Sequence, residues 1–342
     1  MKLYRYFEDW RAAFLATARQ LSAAGIEPEI AEIFLRHREK LDLNAEAEKL
    51  RAHGIGLLTF TDSSYPKLLL ETEKFPPLLY YRGALGPGDE LCLAMVGTRM
   101  VTTYGRLATP RLAGPLAEAG AIIVSGMAFG VDALAHQAAV ERGRRTIAVL
   151  GGGLDEKSLY PKAHGLLAQQ ILDTGGMLLS EYPPLTPNFK QNFVARNRII
   201  SGMSVATVVI ECNLKSGSLI TAKYALEQNR GVYAVPGPIY AEQSQGPNNL
   251  IKMGAKLVTD AIDILEDLNL QHWPEQQQAQ SGFDDSPAEA ALLQVVAHEP
   301  LHINEIVRQS QLSLADATSA LTFLEMKGKI KNLGGQQYVL SR

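Results

Sequence analysis

Leu91-Cys92-Leu93-Ala94-Met95-Val96-Gly97-Thr98-Arg99 decides the fold. Six apolar residues in a row suit a strand buried on both faces, and the glycine that follows punctuates it. A helix is expected over about 103–119. The same unit then recurs. Ala121–Ser125 is a second strand, and Gly126-Met127-Ala128-Phe129-Gly130-Val131-Asp132 leads into a helix over 133–142. Arg145–Leu150 is a third, closed by Gly151-Gly152-Gly153 and followed by a helix over 161–174. Met177–Ser180 and Ala206–Ile210 are the next two, and a helix over 217–229 and a strand over 231–235 complete the series. Buried strands alternating with amphipathic helices predict an α/β fold with an extended Rossmann-like parallel sheet. Ligands of such sheets bind at the carboxyl ends of the strands, where these glycine-rich turns lie.

Outward from this core the pattern changes. Residues 1–53 place Phe14, Leu15, Leu21, Ile30, Ile33, Phe34 and Leu35 at helical spacing and read as a helical module. Residues 54–270 form the Rossmann-like domain, entered by a short strand over Ile55–Phe60 and a second ending at Gly83. Residues 271–286 are Gln-rich, with Pro274 and Gly282, and read as a linker. Residues 287–342 predict three helices and two short strands around Gly334-Gly335, a winged-helix-like domain. Its last helix, over 313–327, offers Asp316, Glu325 and Lys327, a poor DNA-reading face, which favours an interaction or structural role for the wing.

With 342 residues, 46% hydrophobic and 20% charged, the composition is that of a globular protein of two or three domains. The net charge of −3 gives no global basic footprint, so a nucleic-acid partner would have to be held by a local patch. Cys92 and Cys212 are isolated in apolar surroundings and read as buried thiols of a reducing cytoplasm. The N-terminal stretch has no signal-peptide h-region, and no uncharged apolar run reaches the ~18 residues of a membrane span. No metal-ligand spacing appears. The G-x-x-x-x-G-K-[ST] phosphate loop and the G-x-S-x-G nucleophile elbow are absent, so no catalytic residues are assigned.

Two segments are cationic and free of acids. From Leu91 to Ala117 the charges are Arg99, Arg106 and Arg111; from Pro184 to Ile210 they are Lys190, Arg196 and Arg198. The first opens with Gly97-Thr98-Arg99, where backbone N–H groups and an arginine could bind phosphate, although a solvated helix start reads equally well. The second contains Phe193-Val194-Ala195-Arg196-Asn197-Arg198, read as a cationic loop in which Asn197 holds the backbone in shape. Gly126 and Gly130 permit a tight turn and a close backbone approach to a ligand. Asp132 is placed as an N-cap, and His136 is either a structural hydrogen-bonding residue or a ligand contact. Ser216-Gly217-Ser218-Leu219-Ile220-Thr221 suits an anion nest at a helix start, or a simple N-cap. Asp155 and Glu181 are isolated carboxylates that suit a turn or hydrogen-bonding role better than acid–base work.

Taken in order, these motifs resemble the DNA-processing protein A family (DprA/Smf). The set runs from Tyr65-Pro66 through Gly97-Thr98-Arg99, Ser125–His136, Gly153-Leu154-Asp155 with Tyr160-Pro161, Ser180–Pro184, Phe193–Gly202 and Ser216–Thr221 to Val235-Pro236-Gly237 and Gly246-Pro247-Asn248. Gly246-Pro247-Asn248 stands where that family usually has Gly-Cys-Asn. The resemblance implies a non-enzymatic single-stranded DNA-binding protein without cofactor. Such a protein shields incoming DNA in natural transformation and loads the RecA recombinase onto it, as a homodimer. It implies that Arg99, Lys190, Phe193, Arg196 and Arg198 line the DNA groove, and Arg106 and Asn197, in the same two segments, are counted with them as DNA-binding candidates. Gly97, Thr98, Gly126, Gly130, Ser216, Gly217, Ser218 and Thr221 would then supply its phosphate-binding loops. The rival class is a nucleotide phosphoribohydrolase resembling the lysine-decarboxylase-like family. Those enzymes carry Pro-Gly-Gly-x-Gly-Thr where this chain has Ser216–Thr221.

Overall fold

The computed structural model describes residues 2–88, 90–269, 287–296, 301–326 and 329–340. The expected linker at 271–286 lies outside them. The chain divides into two compact units, Met1–Asn269 and Leu270–Arg342.

Nine strands form one sheet in the first unit: β1 (Gly56–Thr59), β2 (Leu78–Gly83), β3 (Cys92–Val96), β4 (Ile122–Ser125), β5 (Thr146–Leu150), β6 (Met177–Ser180), β7 (Ala206–Val209), β8 (Gly231–Ala234) and β9 (Lys256–Leu257). Their order is β1-β2-β6-β5-β4-β3-β7-β8-β9. All pairs from β6 to β9 are parallel. The chain runs outward from β3 to β6, then returns and runs the other way from β7 to β9. The topological switch therefore falls between β3 and β7, where a ligand crevice is expected. Every residue of β3 to β7 is buried, in keeping with helices on both faces. β1 and β2 form an antiparallel pair joined antiparallel to β6, which makes the sheet mixed.

The helices of this unit are α1 (Lys2–Phe7), α2 (Trp10–Leu15), α3 (Ala18–Ala23), α4 (Pro28–Arg38), α5 (Leu43–Ala52), α6 (Lys67–Leu70), α7 (Thr103–Glu118), α8 (Val131–Val140), α9 (Gly165–Asp173), α10 (Lys190–Gly202), α11 (Gly217–Glu227), α12 (Gln245–Lys252) and α13 (Ala261–Asp267). The N-terminal helices gather around Ala16, Leu21 and Ala31, with Arg38 Nη1 donating to the Phe14 and Ala16 carbonyls. Tyr4 meets Phe60 edge to face at 4.8 Å. No described helix is long and apolar enough to cross a membrane.

Two local expectations need correction. The cationic stretch around Arg196 is a helix, α10, and not a loop. Its buried face is Asn192, Arg196, Ile199 and Ile200, a helical spacing in which two polar residues stand where apolar ones would have revealed the period. Asp132 is not an N-cap. It lies inside α8, capped by Gly130, and its carboxylate accepts from the Gly126 and Ala128 N–H groups of the preceding loop.

The second unit contains α14 (Pro287–Val295), β10 (Leu301–His302), α15 (Ile303–Ser310), α16 (Leu314–Met326), β11 (Ile330–Gly334) and β12 (Gln337–Leu340). The three strands pair in the order β10-β12-β11, and Leu292, Ile306, Leu321 and Leu324 are buried between helices and sheet. This is a winged-helix fold.

Candidate nucleic-acid interface

A pocket of about 200 Å³ opens at the switch point. Gly97 and Arg99 beyond β3, Phe193, Arg196 and Asn197 on α10, and Ser216, Gly217, Ser218 and Thr221 around the start of α11 line it. Ser216 caps α11 by accepting from Ser218 N, and Ser218 Oγ donates to the Gly97 carbonyl at 2.7 Å. The hydroxyls of this cluster thus fasten α11 to β3.

Arg99 is exposed, and its guanidinium stands over the Phe193 ring, 5.8 Å from the centroid. Phe193 is half-buried, with the Tyr160 ring 5.5 Å away and tilted by 47°. The aromatic face orients the cation without neutralising it, so Arg99 keeps its donors for an anion.

Arg196 is the opposite case. It is 4% exposed. Its Nη1 donates to the Gly126 carbonyl at 2.9 Å and to the Val149 carbonyl, and Nε donates to Asn197 Oδ1. Burial lowers its pKa to about 10, opposed by the Asp132 carboxylate and aided by Arg99. It remains a cation at neutral pH, set in the pocket wall and tying α10 to the ends of β4 and β5. A Cβ on Gly126 would lie 2.4 Å from Arg196 Nη2, which is why a glycine stands there.

Helical geometry separates Arg196 from Arg198. Two residues along an α-helix turn the side chain by about 200°. Arg198 accordingly points away, and its Nη2 donates to both carboxylate oxygens of Glu181 at 2.5 and 2.6 Å. It borders a different recess, with Glu71, Glu73 and Glu227. Arg106 and Lys190 are exposed on the surfaces of α7 and α10 and do not line the switch-point pocket.

The remaining expected residues take structural positions. Thr98 is buried and its hydroxyl accepts from Met100 N. Gly130 has φ +80°, and a Cβ there would sit 2.2 Å from the Thr98 carbonyl oxygen. His136 is fully buried against Thr146 Oγ1 at 2.7 Å. Thr146 spends its hydroxyl proton on the Ile123 carbonyl, so Nδ1 carries the imidazole proton and Nε2 is left without a partner. Burial first, and Arg196 second, hold its pKa down at about 3. Asp155 accepts from the Lys157, Ser158 and Leu185 N–H groups, and these bonds outweigh burial to lower its pKa.

Glu211 was not singled out from the sequence. It is 2% exposed at the end of β7, and its carboxylate accepts from Thr102 Oγ1 at 2.5 Å and Thr102 N at 3.1 Å. It occupies the N-terminus of α7, where a mononucleotide-binding fold would hold phosphate. A lone carboxylate closing an otherwise apolar strand was the available signal.

The family model for DNA recombination-mediator protein A matches residues 56–269, and that for the DprA winged helix domain matches residues 276–336. The chain belongs to the DNA recombination-mediator protein A family. Within reach of this family, Protein Smf of Escherichia coli (strain K12) is 38% identical over 284 residues, covering 81% of this chain and 75% of that protein. Protein Smf of Synechocystis is 33% identical over 377 residues, covering 98% and 93%. The X-ray structure of DNA processing protein A from Streptococcus pneumoniae matches with a TM-score of 0.67 at 35% identity, over 78% of this chain and 90% of that one. A structure of DNA processing protein A from Helicobacter pylori, solved to describe its single-stranded DNA binding mode, matches with a TM-score of 0.56 at 30% identity, over 63% and 95%. The family assignment covers the switch-point pocket and both acid-free segments that flank it.

Proposed function

We propose that this protein binds single-stranded DNA along the rim formed by the carboxyl ends of β3, β4 and β5 and the first half of α10. The observation that carries the reading is the exposed Arg99 guanidinium held over Phe193 at a pocket that the buried cation of Arg196 also lines. Arg106 and Lys190 extend the positive surface, and no acid interrupts either flanking segment. The relative from Helicobacter pylori, whose structure concerns single-stranded DNA binding, supports the choice of ligand.

In this reading the protein is a binding and hand-over factor of DNA processing in transformation and recombination, not an enzyme. The two carboxylates marked in the sequence are engaged, Asp155 by three backbone N–H groups and Glu181 by Arg198, and the two beside the pocket are engaged as well, Asp132 by the Gly126 and Ala128 N–H groups and Glu211 by Thr102. Loading of the RecA recombinase, a homodimeric assembly and a cytoplasmic setting belong to the same proposal. Exposed Met253, Leu257 and Ile262 around the β9 edge of the sheet suit a protein contact.

The test is a salt series with single-stranded and double-stranded oligonucleotides. Phosphate-dominated binding predicts a linear fall of log affinity with log salt, and tighter binding of the single strand throughout. Equal affinity for both forms would reject the reading.

A further inference from the structure

Glu211 holds the loop that carries Arg99 from both ends. Its backbone carbonyl accepts from Thr98 N at 2.6 Å, and its carboxylate accepts from Thr102 Oγ1 at 2.5 Å and Thr102 N at 3.1 Å. Arg99, Met100 and Val101 lie between these two anchor points. The backbone is shaped for the approach. A Cβ on Gly105 would lie 2.2 Å from Glu211 Oε2, and one on Gly97 would lie 2.9 Å from the Glu211 carbonyl oxygen. Both glycines make room for this one residue. Glu211 is 2% exposed, and a buried carboxylate carries a desolvation cost that an apolar side chain in its place would not. Capping does not account for it, because Thr102 already caps α7 by accepting from Gly105 N.

The placement also inverts the ordinary use of such a helix. The N-terminus of α7 attracts an anion, and here the chain supplies that anion itself. A phosphate of a bound strand finds this seat taken and meets the exposed guanidinium of Arg99 instead. Phe193 holds the head of that side chain, 5.8 Å from guanidinium carbon to ring centroid, while Glu211 holds the backbone from which it springs.

We infer that Glu211 is the positioning residue for the phosphate contact of Arg99: its carboxylate fixes the course of the chain from Thr98 to Thr102, and that course decides where the guanidinium stands. The inference rests on the single-stranded DNA reading above. Glu211 is buried and touches no strand, so its substitution acts on binding through Arg99 alone. The backbone bond to Thr98 N survives any substitution, which keeps the end of β7 fastened to the end of β3.

The experiment is a double-mutant cycle on the full chain, read as affinity for an oligodeoxythymidine over a salt series. Glu211→Ala removes the carboxylate. Glu211→Gln keeps its shape and one acceptor oxygen, and carries the test if the alanine variant has a lowered urea midpoint. Each is made alone and together with Arg99→Ala. With Arg99 present, both variants should bind several-fold more weakly, alanine more so than glutamine, and lose up to ~0.7 from the magnitude of the log–log salt slope, the share of one phosphate contact on a single strand. With Arg99→Ala, neither should weaken binding further, because two residues that act through one contact are not additive. A carboxylate that merely supports the fold would cost the same with and without Arg99, and that result overturns the inference. So do Glu211 variants of wild-type affinity and slope, and either result beside a weakened Arg99→Ala leaves the single-stranded DNA reading standing. An Arg99→Ala variant of wild-type affinity and slope overturns both.

Discussion

Arg99 and Phe193 come from segments almost a hundred residues apart and meet as a cation over an aromatic face, 5.8 Å from guanidinium carbon to ring centroid. The contact holds the guanidinium at the pocket mouth before any ligand arrives. Phe193→Leu would remove the π-face and keep the bulk. Loss of about 0.5–1 kcal/mol of orientation predicts a two- to five-fold weaker affinity for single-stranded DNA with an unchanged salt slope. Titration of a labelled strand at several salt concentrations checks both parts.

Arg196→Ala is expected to act first on stability. It would leave the Gly126 and Val149 carbonyls without their donor and Asp132 without its nearest cation. A cost of about 2–4 kcal/mol is expected, seen as a lower urea midpoint at constant slope. A variant of wild-type stability would contradict the buried, tying role assigned to this arginine.

Gly130→Ala should be as damaging. The position has φ +80° and backbone oxygen within 2.2 Å of the would-be Cβ, so neither rotation nor a yielding side chain can relieve it. Destabilisation by about 2 kcal/mol or more is expected in thermal unfolding. Gly143→Ala, also at positive φ but with open space around it, should cost less.

His136 gives the fold an acid-sensitive limb. Its folded pKa of about 3 lies below the unfolded value near ~6.5. Between these values the unfolded chain binds a proton that the folded protein refuses, so stability is full above the unfolded pKa and falls as pH drops towards 3. From pH ~7 to pH ~5 this one group accounts for about 2 kcal/mol. His136→Gln should narrow the difference between urea midpoints measured at those two pH values. An unchanged difference would show that His136 takes no part.

The strands that frame the site were legible because β3 to β7 are buried on both faces and write short, largely apolar runs, closed by glycine after β3, β4 and β5. β1 and β2 were visible as strands, but their antiparallel attachment to β6 was not, since pairing between distant segments leaves no local pattern. α10 was hidden by Asn192 and Arg196 on its buried face, and with it the divergence of Arg196 and Arg198. The cationic character of the site could be read from acid-free stretches. Which cations stay open could not: whether an arginine meets a carboxylate, a carbonyl or an aromatic ring is decided by tertiary packing.

The most direct test of the account is the salt dependence of single-stranded DNA binding by Arg99→Ala beside wild type. Arg99 is exposed, so the variant should fold normally, bind more weakly, and lose about 0.7 from the magnitude of the log–log salt slope, the share of one phosphate contact on a single strand. Wild-type affinity and an unchanged slope in the variant would contradict the claim that this rim holds the DNA backbone.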